Sequence, residues 1–189
     1  MPNKALHRMP GLRFRRVHGF GVPASVSLVF ANMIALDLQT FQQSHGSDGN
    51  VTGVIYVELE SGAFPGTGWS DFPVIILNWW AEALLELGIR TRREVLWRFM
   101  DGPYCLTLTK VTGTVPRGAL TLGQIESSLA QAAQRTVEYC EQQQLFCGDL
   151  AALRENVQRL KANQAVQRTG ASRSAHIEIR PSVAAGSRR

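Results

Sequence analysis

The sequence predicts an α+β fold, with about four antiparallel strands packed on a buried central helix and a C-terminal pair of helices. The first observation is an alternation of apolar and polar residues at 33–40, followed by a segment rich in β-branched and aromatic residues at 53–60, and both are typical of strands. The second is a segment at 72–87 that is apolar on nearly every side. The third is a pair of amphipathic patterns after residue 120. At 189 residues, the chain fits one domain with additional length at its ends.

The first half of this domain is predicted to begin with two strands. Residues 33–40 place Ile34, Leu36 and Leu38 on one side and polar residues on the other, as expected for a half-buried strand. Residues 53–60 are rich in β-branched and aromatic side chains, which favour a second strand.

The central helix is predicted at 72–87. Ser70 or Asp71 is expected to cap its N-terminus, and Pro73 suits a first turn in which no N–H is needed. Gly88 is expected to end the helix. Because apolar side chains cover most of its circumference, the sequence predicts that this helix is buried.

A hairpin is predicted from residues 93–100 and 103–111. Asp101 and Gly102 supply the turn, since glycine accepts a positive φ and aspartate bonds to nearby backbone. Pro103 follows directly and removes a ladder donor, so we expect a turn longer than two residues.

Two helices are predicted after the hairpin. Thr121 and Gln124 form a capping-box pattern at the start of the first. The second is predicted at 150–162. The apolar face of the first helix is expected to carry Leu122, Ile125, Leu129, Ala132, Ala133, Thr136, Val137 and Cys140.

Charge and composition divide the chain into three parts: a basic, irregular leader at 1–32, a globular domain at 33–164 and a disordered basic tail at 165–189. Residues 1–30 contain five bases and no acids, whereas 31–164 contain ten bases and fourteen acids. A nucleic-acid-binding domain usually presents a basic patch on its folded face. We therefore expect nucleic-acid association only through the tails. Ile177-Glu178-Ile179 matches a short strand, but its surroundings favour disorder.

Location is indicated by the apolar runs and the cysteines. Pro23 and Asn32 interrupt the apolar stretch that follows the basic N-terminus, and no cleavage site follows, so the pattern does not favour a signal peptide. Nor is any apolar run long enough to span a membrane. Cys105, Cys140 and Cys147 are odd in number and form no C-x-x-C pair, which is typical of free thiols in a reducing cytosol. We expect a cytoplasmic protein.

The sequence contains no recognisable catalytic, metal or cofactor motif. A Cys105–His45 dyad is conceivable, but a packed thiol and a surface histidine explain the same residues. Asp71 and Asp101 are better explained as a helix cap and a turn residue than as a carboxylate pair. The expectation therefore leans away from an enzyme.

The candidate residues for an interaction surface or a pocket cluster around the aromatic segment. They are Trp69, Asp71, Asp101, Tyr104 and His45.

Three motifs carry a resemblance: Gly68–Phe72 (GWSDF), Trp79-Trp80 and Phe99–Tyr104 (FMDGPY). Together they resemble a group of small, uncharacterised bacterial proteins, some of which are similar to immunity or accessory proteins encoded beside toxins. This resemblance covers about residues 33–110 and implies a small bacterial α+β protein. Residues 3–8 (NKALHR) resemble the leader of an integron gene cassette, which implies that 1–32 are translated repeat DNA and that Met33 is a plausible start.

Three functions follow as hypotheses. The first is a cytoplasmic protein-binding module of the inhibitor or immunity type, with an unidentified protein partner. The second is a small enzyme or ligand-binding protein with a pocket between sheet and helix, where Glu58, Asp71 and His45 would converge. The third is association with nucleic acid through the basic tails.

Overall fold

The computed structural model describes residues 33–44, 49–89, 92–169 and 175–183. These residues form two antiparallel sheets and three helices, so the predicted α+β class and C-terminal helical pair are confirmed. The sheets contain more strands than the four predicted, because several short segments pair with the long strands. The strands are β1 (Ile34–Gln43), β2 (Val51–Leu59), β3 (Gly62–Phe64), β4 (Ser70–Asp71), β5 (Glu94–Arg98), β6 (Tyr104–Lys110), β7 (Leu120–Thr121) and β8 (His176–Val183). The helices are α1 (Pro73–Gly88), α2 (Leu122–Gln142) and α3 (Leu150–Thr169).

The first sheet is built around β2, which pairs with β1 on one side and with β3 and β4 on the other. Ile55 and Val57 alternate with half-buried residues along β2 and are completely buried. Gly53 lies beneath the ring of Phe41, and a Cβ at this position would overlap that ring. Glycine in the central strand therefore makes room for an aromatic side chain from its neighbour.

The second sheet has the order β5-β6-β8-β7. The predicted disorder at 165–189 is therefore wrong for the part of this tail that the structure describes, whereas 170–174 and 184–189 lie outside the described residues. Residues 165–169 continue α3, and β8 lies between β6 and β7. β8 pairs with β6 from Lys110↔Ile177 to Tyr104↔Val183, and Ile177 is completely buried. Pairing with β6, far away in the sequence, supplies the backbone hydrogen bonds that composition alone does not indicate.

Helix α1 packs against both sheets and is joined to β5 by two tryptophans. The rings of Trp80 and Trp97 stack with centroids 4.8 Å apart. The Trp80 indole N–H donates to the Arg98 carbonyl at 2.9 Å, and the Trp97 indole N–H donates to the Trp80 carbonyl at 3.1 Å. The prediction that α1 is apolar and buried on nearly every side is wrong at Trp79, which is 42% exposed.

The start of α1 differs from the prediction. Neither Ser70 nor Asp71 caps it: Phe72 holds the N-cap position, with no side-chain capping bond. The Asp71 carboxylate instead accepts hydrogen bonds from other N–H groups. Pro73 is the first helical residue, as predicted, and the helix ends at Gly88.

The C-terminal helices pack against each other and against α1. The capping box of Thr121 and Gln124 is present, and every residue predicted for the apolar face of α2 is buried. Helix α3 runs beyond the predicted residue 162 to Thr169. The Asn156 amide of α3 donates to the side-chain oxygen of Asn78 in α1 at 2.6 Å, which gives α1 and α3 a buried polar contact. Among the described helices, none is both long and apolar enough to cross a bilayer.

Replacing the two neighbouring tryptophans of α1 should give very different losses of stability. Trp80→Ala removes a completely buried ring and its hydrogen bond, and we expect a loss of about 3–5 kcal/mol. Trp79→Ala is the matched control and should cost less than about 1 kcal/mol, because the side chain is 42% exposed. Urea denaturation followed by circular dichroism measures both, and equal losses would contradict this description of the core.

Candidate functional site

The centre of the candidate site is the carboxylate of Asp71, whose residue is only 3% exposed. One oxygen accepts the indole N–H of Trp69 at 3.2 Å and the backbone N–H of Met100 at 3.0 Å. The other accepts the backbone N–H of Phe72 at 2.9 Å, and the N–H of Asp101 lies within 3.2 Å of both oxygens. The GWSDF and FMDGPY motifs are therefore joined by one side chain.

Burial of this carboxylate is tolerated because its acceptor capacity is filled. A buried ionised carboxylate is costly unless hydrogen-bond donors replace water. The acceptor and two of its donors belong to different sheets. Asp71 lies on β4 of the first sheet, whereas Met100 and Asp101 lie on the loop between β5 and β6 of the second. The carboxylate thus fixes the loop relative to the first sheet.

This loop consists of Met100–Pro103 and is called the hairpin loop below. The N–H of Phe99 donates to the carbonyl of Tyr104 at 3.0 Å and closes the hairpin, so the expectation of a turn longer than two residues is confirmed. Gly102 has a φ of +96°, and a Cβ there would lie 2.9 Å from the Tyr104 ring. Both its conformation and its contact with Tyr104 therefore require glycine.

An aromatic cluster packs against the side of the hairpin loop that faces the core. Tyr104 makes edge-to-face contacts with Trp69 and Phe64, at centroid distances of 5.0 and 6.0 Å. Phe99 makes similar contacts with Phe64 at 5.8 Å and with Trp80 at 5.2 Å. These contacts lead from the loop directly to the buried tryptophan stack, which leaves the loop little freedom to move.

The outer surface of the hairpin loop is open to solvent. Met100 is 44% exposed, and Asp101, Gly102 and Pro103 are exposed as well. Next to the loop lies a cavity of about 330 Å³. It is lined by Leu96, Arg98, Phe99, Gly102, Pro103, Tyr104 and Cys105.

The structure brings four of the five candidate residues together. Trp69, Asp71, Asp101 and Tyr104 meet at the hairpin loop, whereas His45 lies outside the described residues. Asp101 contributes its backbone N–H to this site, and its own side chain is exposed. Asp71 proves to be a link between sheets, a role that local sequence could not indicate.

The residues expected to converge in a pocket are not placed in one cavity. Glu58 lines a separate cavity of about 180 Å³, together with Glu60 and Arg117, and Asp71 does not line it. This cavity lies between the β2–β3 turn, the segment leading into β7, and strand β8, so it is not the predicted pocket between sheet and helix.

Sequence reasoning missed a second surface, the groove between α1 and β5. It has a volume of about 490 Å³, and Trp79 and Leu96 are its exposed apolar residues. A signal was present, because Glu82 and Glu86 follow Trp79 at positions three and seven residues later, on the same side of the helix. A helix face with two glutamates is expected to face water.

The three cysteines are free thiols. Cys140 is completely buried, and burial, followed by the charges of Cys147 and Glu141, raises the pKa of its thiol to about 11. Burial also raises the pKa of Cys147. Cys105 lies on the outer face of the second sheet, with its Sγ 3.0 Å from Ser182 Oγ. Within the described ranges, no three His, Cys, Asp or Glu side chains gather into a metal site.

Comparison with known proteins gives no assignment. No protein-family model, no curated protein and no solved structure matches this chain. The site itself is therefore the basis for any functional conclusion.

Replacing Asp71 by asparagine should destabilise the domain by about 2–4 kcal/mol. The substitution keeps the shape but removes the charge and turns an NH2 group toward backbone N–H donors, which are then unsatisfied. Asp101→Asn is the control: it removes the same charge from an exposed side chain and should cost less than about 0.5 kcal/mol. Chemical denaturation measures stability, and amide hydrogen exchange at Met100 and Asp101 should accelerate only in the Asp71 variant.

Cys140 should be the slowest of the three cysteines to react with iodoacetamide. The thiolate is the nucleophile, and with a pKa of about 11 only about one thiol in a thousand is ionised at pH 8. Below pH 11 its labelling should rise about tenfold with each pH unit and then level off, as long as the domain stays folded. Peptide mass spectrometry resolves the three sites, and fast labelling of Cys140 at pH 8 would contradict its burial.

Proposed function

We propose that this chain is a protein-binding module of the bacterial cytoplasm, of the inhibitor or immunity type, which acts by stoichiometric association. The observation that carries the proposal is the hairpin loop, which is exposed on its outer side and fixed on its inner side by the Asp71 carboxylate. Free thiols and the resemblance of the aromatic motifs to small bacterial proteins support the cellular setting.

A fixed and exposed loop suits protein recognition. Association costs conformational entropy wherever a loop must be ordered, and a loop held beforehand avoids this cost. Here two backbone N–H groups, a tight glycine and an aromatic cluster hold the loop in place. The contacts that stabilise the fold therefore also hold the exposed loop in one conformation for binding.

The chemistry of the loop surface also favours a protein partner. Met100 offers a flexible, polarisable side chain that adapts to apolar surfaces, and Pro103 adds rigid apolar area. The adjoining cavity of about 330 Å³ can accept a side chain from the partner. An anchor residue placed in such a cavity typically supplies much of the binding energy of an interface.

The two other hypotheses have weaker support. Small-molecule sites usually have volumes of about 300–1,000 Å³. The cavity with Glu58, Glu60 and Arg117 has about 180 Å³, which is below that range, and the cavities of about 330 and 490 Å³ are lined by neither Glu58 nor Asp71. Association with nucleic acid would depend on the bases of both tails, 1–32 and 165–189, and of these only Arg168 and Arg180 belong to the described residues.

Affinity capture from nuclease-treated host lysate tests the loop directly. The full chain, Met100→Asp and Val115→Asp serve as three baits. Val115 is the matched control, because it is 45% exposed against 44% for Met100 and lies on a different loop. We expect one protein to be enriched by the wild type and by Val115→Asp, and its recovery to fall at least about tenfold with Met100→Asp.

Two results would contradict this proposal. Equal recovery with Met100→Asp would exclude the hairpin loop as the binding surface. A partner that is captured only without nuclease would assign binding to nucleic acid and the basic tails.

A further inference from the structure

Among the residues that the structure describes, strand β5 pairs only with β6 and forms an open edge of the second sheet. Two hydrogen bonds at the ends of the hairpin show which residues of β5 bond to β6. Phe99 N–H donates to Tyr104 O, and Lys110 N–H donates to Arg93 O. In an antiparallel ladder, every second residue turns its backbone groups toward the neighbouring strand. The odd-numbered residues of β5 therefore bond to β6, and the even-numbered residues point outward.

The outward backbone groups of Glu94 and Leu96 have no hydrogen-bond partner within the described part of the chain. At Arg98 the edge is closed, because its carbonyl accepts the Trp80 indole N–H at 2.9 Å. The open stretch thus ends at a defined residue. Unpaired N–H and C=O groups along an edge provide a template for one more strand.

Helix α1 lies beside this edge and forms the other side of the groove. Trp79, Ala83 and Glu86 occur at helical spacing and, with Glu94 and Leu96, line the groove of about 490 Å³. An added strand lies about 4.8 Å from its neighbour, so a chain paired with β5 would lie along this helix. The groove therefore combines main-chain pairing on one side with an apolar surface on the other.

Acidic side chains outnumber basic ones among the described residues that line the groove. Glu82, Glu86 and Glu94 line it, and the only base among its lining residues is Arg92. Arg92 forms an ion pair with Glu86 at 3.4 Å, and one oxygen of Glu94 accepts the Thr109 hydroxyl at 3.1 Å. The Glu82 carboxylate and the second oxygen of Glu94 therefore remain for a ligand. A complementary segment carries lysine or arginine next to apolar side chains.

We propose that this groove binds an extended, basic segment of a partner protein, which adds as a strand to the edge of β5 and places an apolar side chain against Trp79. This inference rests on the proposed protein-binding function and names the chemistry of the segment. Main-chain bonds to Glu94 and Leu96 provide affinity, and the carboxylates select basic residues. Pairing ends before Arg98, so the segment spans about five residues.

A synthetic probe tests the groove apart from any natural partner. It is a capped peptide of about seven residues in which lysine alternates with valine, titrated into the 15N-labelled full chain at about 0.15 M salt. We expect chemical-shift changes centred on the Glu94 and Leu96 amides and on the Trp79 indole. Trp79→Ala and Glu94→Lys should each weaken binding at least about tenfold. Glu155→Lys is the charge-matched control on an exposed position of α3 and should leave affinity within about twofold.

Two further peptides separate strand addition from attraction by charge. A glutamate–valine peptide keeps the strand propensity but reverses the charge, and it should not bind. A lysine–valine peptide with N-methylated alternate amides keeps the charge but loses donors along one edge, and it should bind at least about tenfold more weakly. Equal binding by the N-methylated peptide, or shifts spread over all acidic surfaces, would overturn the proposal.

The remaining outcomes are also decisive. If the Glu94 and Leu96 amides shift with protein concentration alone, the edge binds a second copy of this chain and the proposal is wrong. Absence of binding by the lysine–valine peptide would overturn it as well. Neither result affects the Met100-dependent capture of a partner, because the hairpin loop lies outside the groove. The proposal for the groove and the proposal for the hairpin loop can therefore be rejected independently.

Discussion

The buried carboxylate of Asp71 is the interaction on which the arrangement of the two sheets depends. It lies on a two-residue strand of the first sheet and accepts N–H groups from the hairpin loop of the second. A charged group at 3% exposure must have donors around it, so the positions of Met100 and Asp101 are fixed by its need for hydrogen bonds. Helix α1 begins at Pro73, two residues later, and its direction is set at the same point. The Asp71 side chain thus fixes the positions of both sheets and of the start of α1 relative to one another.

The tryptophan pair of α1 divides the helix between core and surface. Consecutive residues on a helix point about 100° apart, so Trp79 and Trp80 cannot both face the same interior. Trp80 is buried against Trp97 and closes the edge of β5 at Arg98, whereas Trp79 is exposed beside Glu82. The helix that holds the core together therefore also forms one wall of the acidic groove.

The hairpin loop and the groove are adjacent parts of one surface. Leu96 lines both the groove and the cavity beside the loop, and it is 40% exposed. The loop is held by Asp71 and the aromatic cluster. One side of the groove carries the outward backbone groups of Glu94 and Leu96, which are unpaired within the described part of the chain. A partner that contacts Met100 and continues as a strand along β5 would use both, with the fixed loop determining orientation and the edge adding main-chain bonds.

The sequence by itself determined the features that are encoded locally. Alternation predicted β1, β-branched and aromatic residues predicted β2, the capping box of Thr121 predicted the start of α2, and the Asp-Gly-Pro segment predicted a hairpin with an extended turn. It also singled out Trp69, Asp71 and Tyr104, because aromatic and acidic residues were clustered there. Only the tertiary structure decided that Asp71 binds N–H groups 29 and 30 residues away, that Trp79 is exposed, and that β8 lies inside the second sheet. Periodicity and capping depend on residues within a few positions of one another, whereas a buried charge and a strand's neighbours are selected by parts of the chain that meet only on folding.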